Sequence, residues 1–82
     1  MDNQMAVPIF RISDRWVQIY VDFDWLIKAG RLKPSDRIDI DDVAQEWGVP
    51  GEVVSMAVGL LVTEGRARRC PDGGYLVAPP PY

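Results

Sequence analysis

Asp39 to Glu64 reads D-I-D-D-V-A-Q-E-W-G-V-P-G-E-V-V-S-M-A-V-G-L-L-V-T-E, and its spacing predicts two helices joined by a tight turn. Asp39 is placed to cap the first helix by accepting a hydrogen bond from a free amide of its first turn. Asp41 and Asp42 then lie at the positive end of that helix's dipole. Val43, Ala44 and Trp47 recur at helical spacing and predict a core-facing side. Gly48 tolerates the left-handed conformation that ends a helix. Pro50 keeps Val49 extended and suits the first turn of a second helix. That helix is expected to run to about Thr63 and to end at Gly65. Two helices about a turn at Gly48 and Val49 form a helix-turn-helix.

Upstream, Ser13 or Asp14 is expected to cap a helix from about Arg15 to Ala29, ended by Gly30. Trp16, Ile19, Tyr20, Phe23, Leu26 and Ile27 share its core side, with Val17 and Val21 flanking them. Gln18, Asp22 and Trp25 lie opposite, so Trp25 is a candidate exposed aromatic, whereas Trp16 and Trp47 read as core. Asp24 and Lys28, four residues apart, are expected to pair on the surface. Val7 to Ile12 has the composition of a short strand, and Pro8 restricts it to a sheet edge. Downstream, Arg66 to Cys70 and Tyr75 to Ala78 read as strands joined by P-D-G-G, a hairpin signal. Either Ile38 or the Val7 segment completes the sheet. The expected fold class is therefore mainly α with a small β wing (α+β), a winged helix-turn-helix. An N-terminal arm (1–14) precedes the domain (15–78), and a Pro-rich tail (79–82) follows it.

Eighty-two residues suit one small domain. Nine Lys or Arg against twelve Asp or Glu give a net charge of −3, which argues against a large phosphate footprint but leaves room for a local basic patch. One cysteine, Cys70, and no histidine exclude an intrachain disulfide framework and a zinc cluster. Asp36, Asp39, Asp41 and Asp42 do not have the spacing of a calcium loop, so no metal is expected. No acid–base pair, nucleophile motif or glycine-rich phosphate loop is present, so neither enzymatic activity nor a cofactor is expected. The polar N-terminus and the lack of a long apolar run predict a cytoplasmic protein with no membrane partner.

Three stretches carry a family resemblance: A-G-R-L-K-P-S-D-R-I (Ala29 to Ile38), D-D-V-A-Q-E-W-G-V (Asp41 to Val49) and A-V-G-L-L-V-T-E-G (Ala57 to Gly65). Together with R-R-C-P-D-G-G-Y-L-V (Arg68 to Val77), the chain resembles the winged helix-turn-helix of GntR-type bacterial transcription regulators over roughly Arg15 to Ala78. The resemblance implies double-stranded DNA as a partner, a homodimer, a recognition helix in the major groove and a wing beside the minor groove. Family members usually carry a C-terminal effector-binding domain. This sequence ends after the wing, so no small-molecule effector domain is expected.

The family's arginines on the first motif helix and the recognition helix correspond to Asp41, Gly51 and Ser55. Arginine suits those places because its forked donors match guanine and phosphate, and none of the three replacements offers such a donor. The DNA-contact candidates are accordingly Gly51, Glu52, Ser55, Arg66, Arg68, Arg69, Gly73 and Arg37, with phosphate contacts from the wing arginines and weakened base readout. Strand alternation places Arg66 and Arg68 on one face and Arg69 on the other. A second reading keeps the fold but turns the DNA face toward protein. Val53, Met56 and Leu60 form an outward apolar stripe, and with Trp25 they are candidates for a dimer, adaptor or anti-repressor contact on another regulatory protein. Cys70 has no base near it in sequence and reads as chemically inert.

Overall fold

The computed structural model describes residues 15–81. Three helices lead into a small sheet: α1 (Arg15–Lys28), β1 (Arg37–Ile38), α2 (Ile40–Trp47), α3 (Gly51–Thr63), β2 (Ala67–Arg69) and β3 (Tyr75–Val77). This is a winged helix. The Val7 strand and the Ser13 or Asp14 cap lie outside the described residues.

Local chemistry sets the helix ends. The Asp39 carboxylate accepts a hydrogen bond from the Asp42 amide at 3.1 Å, so one orphan donor of α2 is satisfied. Gly48 closes α2 with φ of 66°, which only glycine adopts without strain from a Cβ. Pro50 stands one residue before α3, in extended conformation (φ −64°, ψ 151°), rather than inside its first turn. Its carbonyl accepts from the Val53 amide at 3.0 Å, so it begins the helix without needing an N–H of its own.

α3 is the hub, packing against α1, α2 and β2. Val54, Ala57, Val58 and Leu61 are fully buried there and meet Ile19 and Phe23 of α1, Ile38 of β1, Ala67 of β2 and Val77 of β3. Contact on three sides explains why the helix is apolar nearly all round. It also corrects the outward stripe expected for Val53, Met56 and Leu60. Val53 is half-buried and packs on the core, and Leu60 is half-buried as well. Met56 alone of the three stands out, with 53% of its surface exposed.

Strand β3 lies between the other two, and both pairings are antiparallel. Ile38 thus completes the sheet, through its register with Tyr75. The turn from β2 to β3 is closed by Cys70 and Gly74, whose amide and carbonyl bond at 2.7 Å, with Gly73 at φ of 93°. Among the described residues no helix is long and apolar enough to cross a membrane.

Leu61→Ala empties the centre of the hub and is expected to cost about 2–5 kcal/mol in urea unfolding. Gly48→Ala meets no neighbour within 4 Å and is expected to cost about 1–2 kcal/mol, from backbone strain alone.

Candidate functional site

The arginines after α3 do not act as one cluster. Arg66 precedes β2 and turns inward, leaving its side chain only 11% exposed. Its guanidinium donates to Asp24 of α1 at 2.8 Å, to the Tyr20 hydroxyl at 2.8 Å and to Glu64 at 3.1 Å. The Tyr20 hydroxyl in turn donates to the Glu64 carboxylate at 2.9 Å. Arg66 therefore differs from the expectation of a free phosphate contact: its donors are occupied by a network joining the root of the wing to α1. Hydrogen bonds from Arg66 and then from Lys28 hold the Asp24 carboxyl below the usual carboxylate range. Burial, followed by the hydrogen bond to Glu64, pushes the Tyr20 hydroxyl up.

Beyond Arg66, pleating decides what reaches solvent. Ala67 is buried, and the next residue, Arg68, is exposed. Arg68 and Arg37 are both in register with Leu76 of the central strand. Directly opposed residues share a sheet face, so Arg37, Leu76 and Arg68 form one row across the outer side of the sheet. Two strand spacings put the two arginine backbones about 10 Å apart. Sequence alone does not reveal this pairing, because Arg37 and Arg68 meet only through β3. Arg69 lies on the same face as Ala67 but at the strand's far end, where it too is exposed.

At the wing tip Arg37 bonds the Asp72 carboxylate at 3.1 Å, with both side chains more than half exposed. An exposed pair of this kind contributes little and exchanges readily with another anion. The Gly74 amide and the Arg37 charge hold the Asp72 carboxyl low. Gly73, at left-handed φ, forms the tip beside them.

Glu52, Ser55, Met56 and Gly59 are exposed on the free side of α3, while Gly51 is half-buried against Ile40. Asp41 is exposed at the start of α2. Between α1 and α2 a cleft of about 240 Å³ has Phe23, Leu26 and Val43 in its lining, together with Asp22, Asp42 and Glu46. Arg37 borders the same cleft, so exposed carboxylates gather around α2 beside it, while Arg68 and Arg69 are exposed on β2. Trp25 is 56% exposed, as its position opposite the core of α1 predicts, and the Arg31 guanidinium stands 5.9 Å from its ring.

No protein-family model matches the chain, and no curated protein matches it. Among solved structures it is similar to the AraR DNA-binding domain, crystallised in complex with operator ORR3. The identity is 26% and the TM-score 0.72, and the match covers 77% of each chain.

Because the folded state holds the Asp24 carboxyl low, the stability it contributes is fully present above the ordinary carboxylate pKa of about 4 and is lost as pH falls through the folded value. Asp24→Asn is therefore expected to lower stability near neutrality and to flatten the acid limb below about pH 4, read as the urea midpoint from pH 2 to pH 7.

Proposed function

We propose that this winged helix binds duplex DNA as a small transcription regulator of the GntR type, with phosphate contacts made by its sheet and little base readout from α3. The observation that carries this reading is the similarity of fold to a DNA-binding domain held on its operator. The row of Arg37 and Arg68, with Arg69 beyond it, supplies charge on the wing. Phosphate is the group this row suits, since arginine offers bidentate donors to it. Base readout is expected to be weak because Glu52 and Ser55 occupy the exposed start of α3, and Asp41 opposes approach of the backbone beside them. Specificity then rests on wing contacts, on DNA shape or on a second protein.

A second reading is favoured by Met56. It is 53% exposed on a helix that carries no Lys or Arg between Pro50 and Gly65. Under that reading the free side of α3 contacts a protein, in a homodimer or with another regulator.

Salt separates the two. Each neutralised phosphate adds about 0.9 to the slope of log K against log salt. Fluorescence anisotropy on a mixed-sequence duplex is expected to give binding that weakens steeply between 50 and 200 mM salt. The double change Arg37→Ala, Arg68→Ala should flatten the slope by about 2. Ser55→Arg restores a donor at an exposed position and is expected to tighten binding. Absence of salt-dependent binding in the unaltered protein, combined with a dimer that Met56→Asp dissociates, would sink the DNA reading in favour of the second.

A further inference from the structure

Arg37 is held at the wing tip by more than its place in the sheet requires. Its Nη2 donates to one oxygen of the Asp72 carboxylate at 3.1 Å, and the other oxygen accepts the Gly74 amide at 2.9 Å. One side chain thus closes the turn between β2 and β3 and reaches across to β1. The guanidinium lies over the Cα of Gly74. A Cβ built there would overlap it, standing 2.9 Å from Arg37 Cζ. Gly74 does not share the left-handed φ of Gly73, so this position excludes bulk and not a backbone conformation.

The surroundings are acidic. A cleft of about 250 Å³ between the wing tip and the start of α2 has Asp39, Asp41 and Asp72 in its lining, with Arg37 its one cation. Asp39 is engaged in capping α2, and Asp41 is exposed in the first turn of that helix. Asp72 is the carboxylate that bonds the guanidinium. While that pair is closed the two charges offset each other, and a phosphate arriving at Arg37 meets a carboxylate of its own sign.

We propose that Asp72 is an internal substitute for phosphate: seated by Gly74, it holds Arg37 in the free protein and sets the affinity of the wing for DNA. Arg37 reaches a backbone phosphate by exchanging one oxyanion for another. The inference rests on the duplex-DNA reading above and adds Asp72 and Gly74 to it as positioning residues. Both side chains of the pair are more than half exposed, where an ion pair is weak and screened by salt. Phosphate also offers arginine the two-oxygen geometry that a carboxylate does, so the exchange needs no new donor.

A binding cycle on Arg37 and Asp72 tests this, read by anisotropy on a mixed-sequence duplex with the urea midpoint as a check on folding. Asp72→Asn removes the charge and keeps an oxygen for the Gly74 amide. It is expected to tighten binding by about 2–5-fold, the range an exposed ion pair corresponds to, and the gain should vanish when Arg37→Ala is also present. Asp41→Asn removes a charge from the same cleft without touching Arg37, and its effect is expected to be equal with and without Arg37. Gly74→Ala leaves the net charge unchanged and displaces the guanidinium, so it gives an independent reading if Asp72→Asn disturbs the turn. It too is expected to tighten binding only when Arg37 is present. A gain from Asp72→Asn that survives Arg37→Ala overturns the inference, since it is then a general charge effect. Weaker binding by a normally folded Asp72→Asn protein also overturns it, because Asp72 then presents Arg37 to DNA. In both cases the DNA reading stands; failure of the unaltered protein and every variant to bind duplex removes that reading and this inference with it.

Discussion

A largely enclosed guanidinium ties the root of the wing to the first helix. Arg66 is the first residue after the turn that ends α3, and its side chain is nearly enclosed. Burying an arginine is costly unless its donors are met. Here Asp24, Tyr20 and Glu64 meet them, two from α1 and one from the end of α3. Asp24 is partly buried and Glu64 is exposed, so the Arg66–Asp24 contact is the most enclosed member of the network. Its position matters as much as its energy, because it pins the entry to β2 and so sets which side of that strand faces the core.

The phase of the strand follows from this. With Arg66 turned toward α1 and Ala67 in the core, pleating sends Arg68 to the outer side of the sheet, in line with Leu76 and Arg37. A one-residue slip would bury Arg68 and expose Ala67. The exposed cation row is thus a product of the same contact that removes Arg66 from it. At the other end of the domain, α3 is enclosed by α1, α2 and β2, which leaves it a narrow free side bearing Glu52, Ser55, Met56 and Gly59. Exposed arginines, Arg68 and Arg69, thus lie on the sheet and not on α3, and exposed carboxylates lie on α2.

Much of this was legible from residues alone, because it is local. Asp39, Gly48 and Gly65 each signal a helix end through their own backbone chemistry, and P-D-G-G signals the hairpin. The buried side of α3, Val54, Ala57, Val58 and Leu61, was likewise readable from its period. What was not legible depends on contacts between residues distant in sequence. Arg66 reads as one of three like arginines until Asp24 and Tyr20, more than forty residues away, are placed beside it. Val53 and Leu60 read as an outward stripe because a 3.6-residue period shows which residues share a side but not how many neighbours surround the helix. Arg37 and Arg68 become a pair only once β3 is known to lie between β1 and β2.

A double-mutant cycle on Asp24 and Arg66 tests this tie between wing and first helix most directly. Asp24→Asn, Arg66→Met and the double variant are compared with the unaltered protein by urea unfolding at neutral pH. Strong non-additivity is expected, with a coupling energy of about 1–3 kcal/mol, so that the double variant costs little more than Arg66→Met alone. Costs that simply add, to within about 0.5 kcal/mol, would contradict the account and mean that the two side chains lie near each other without holding the wing to α1.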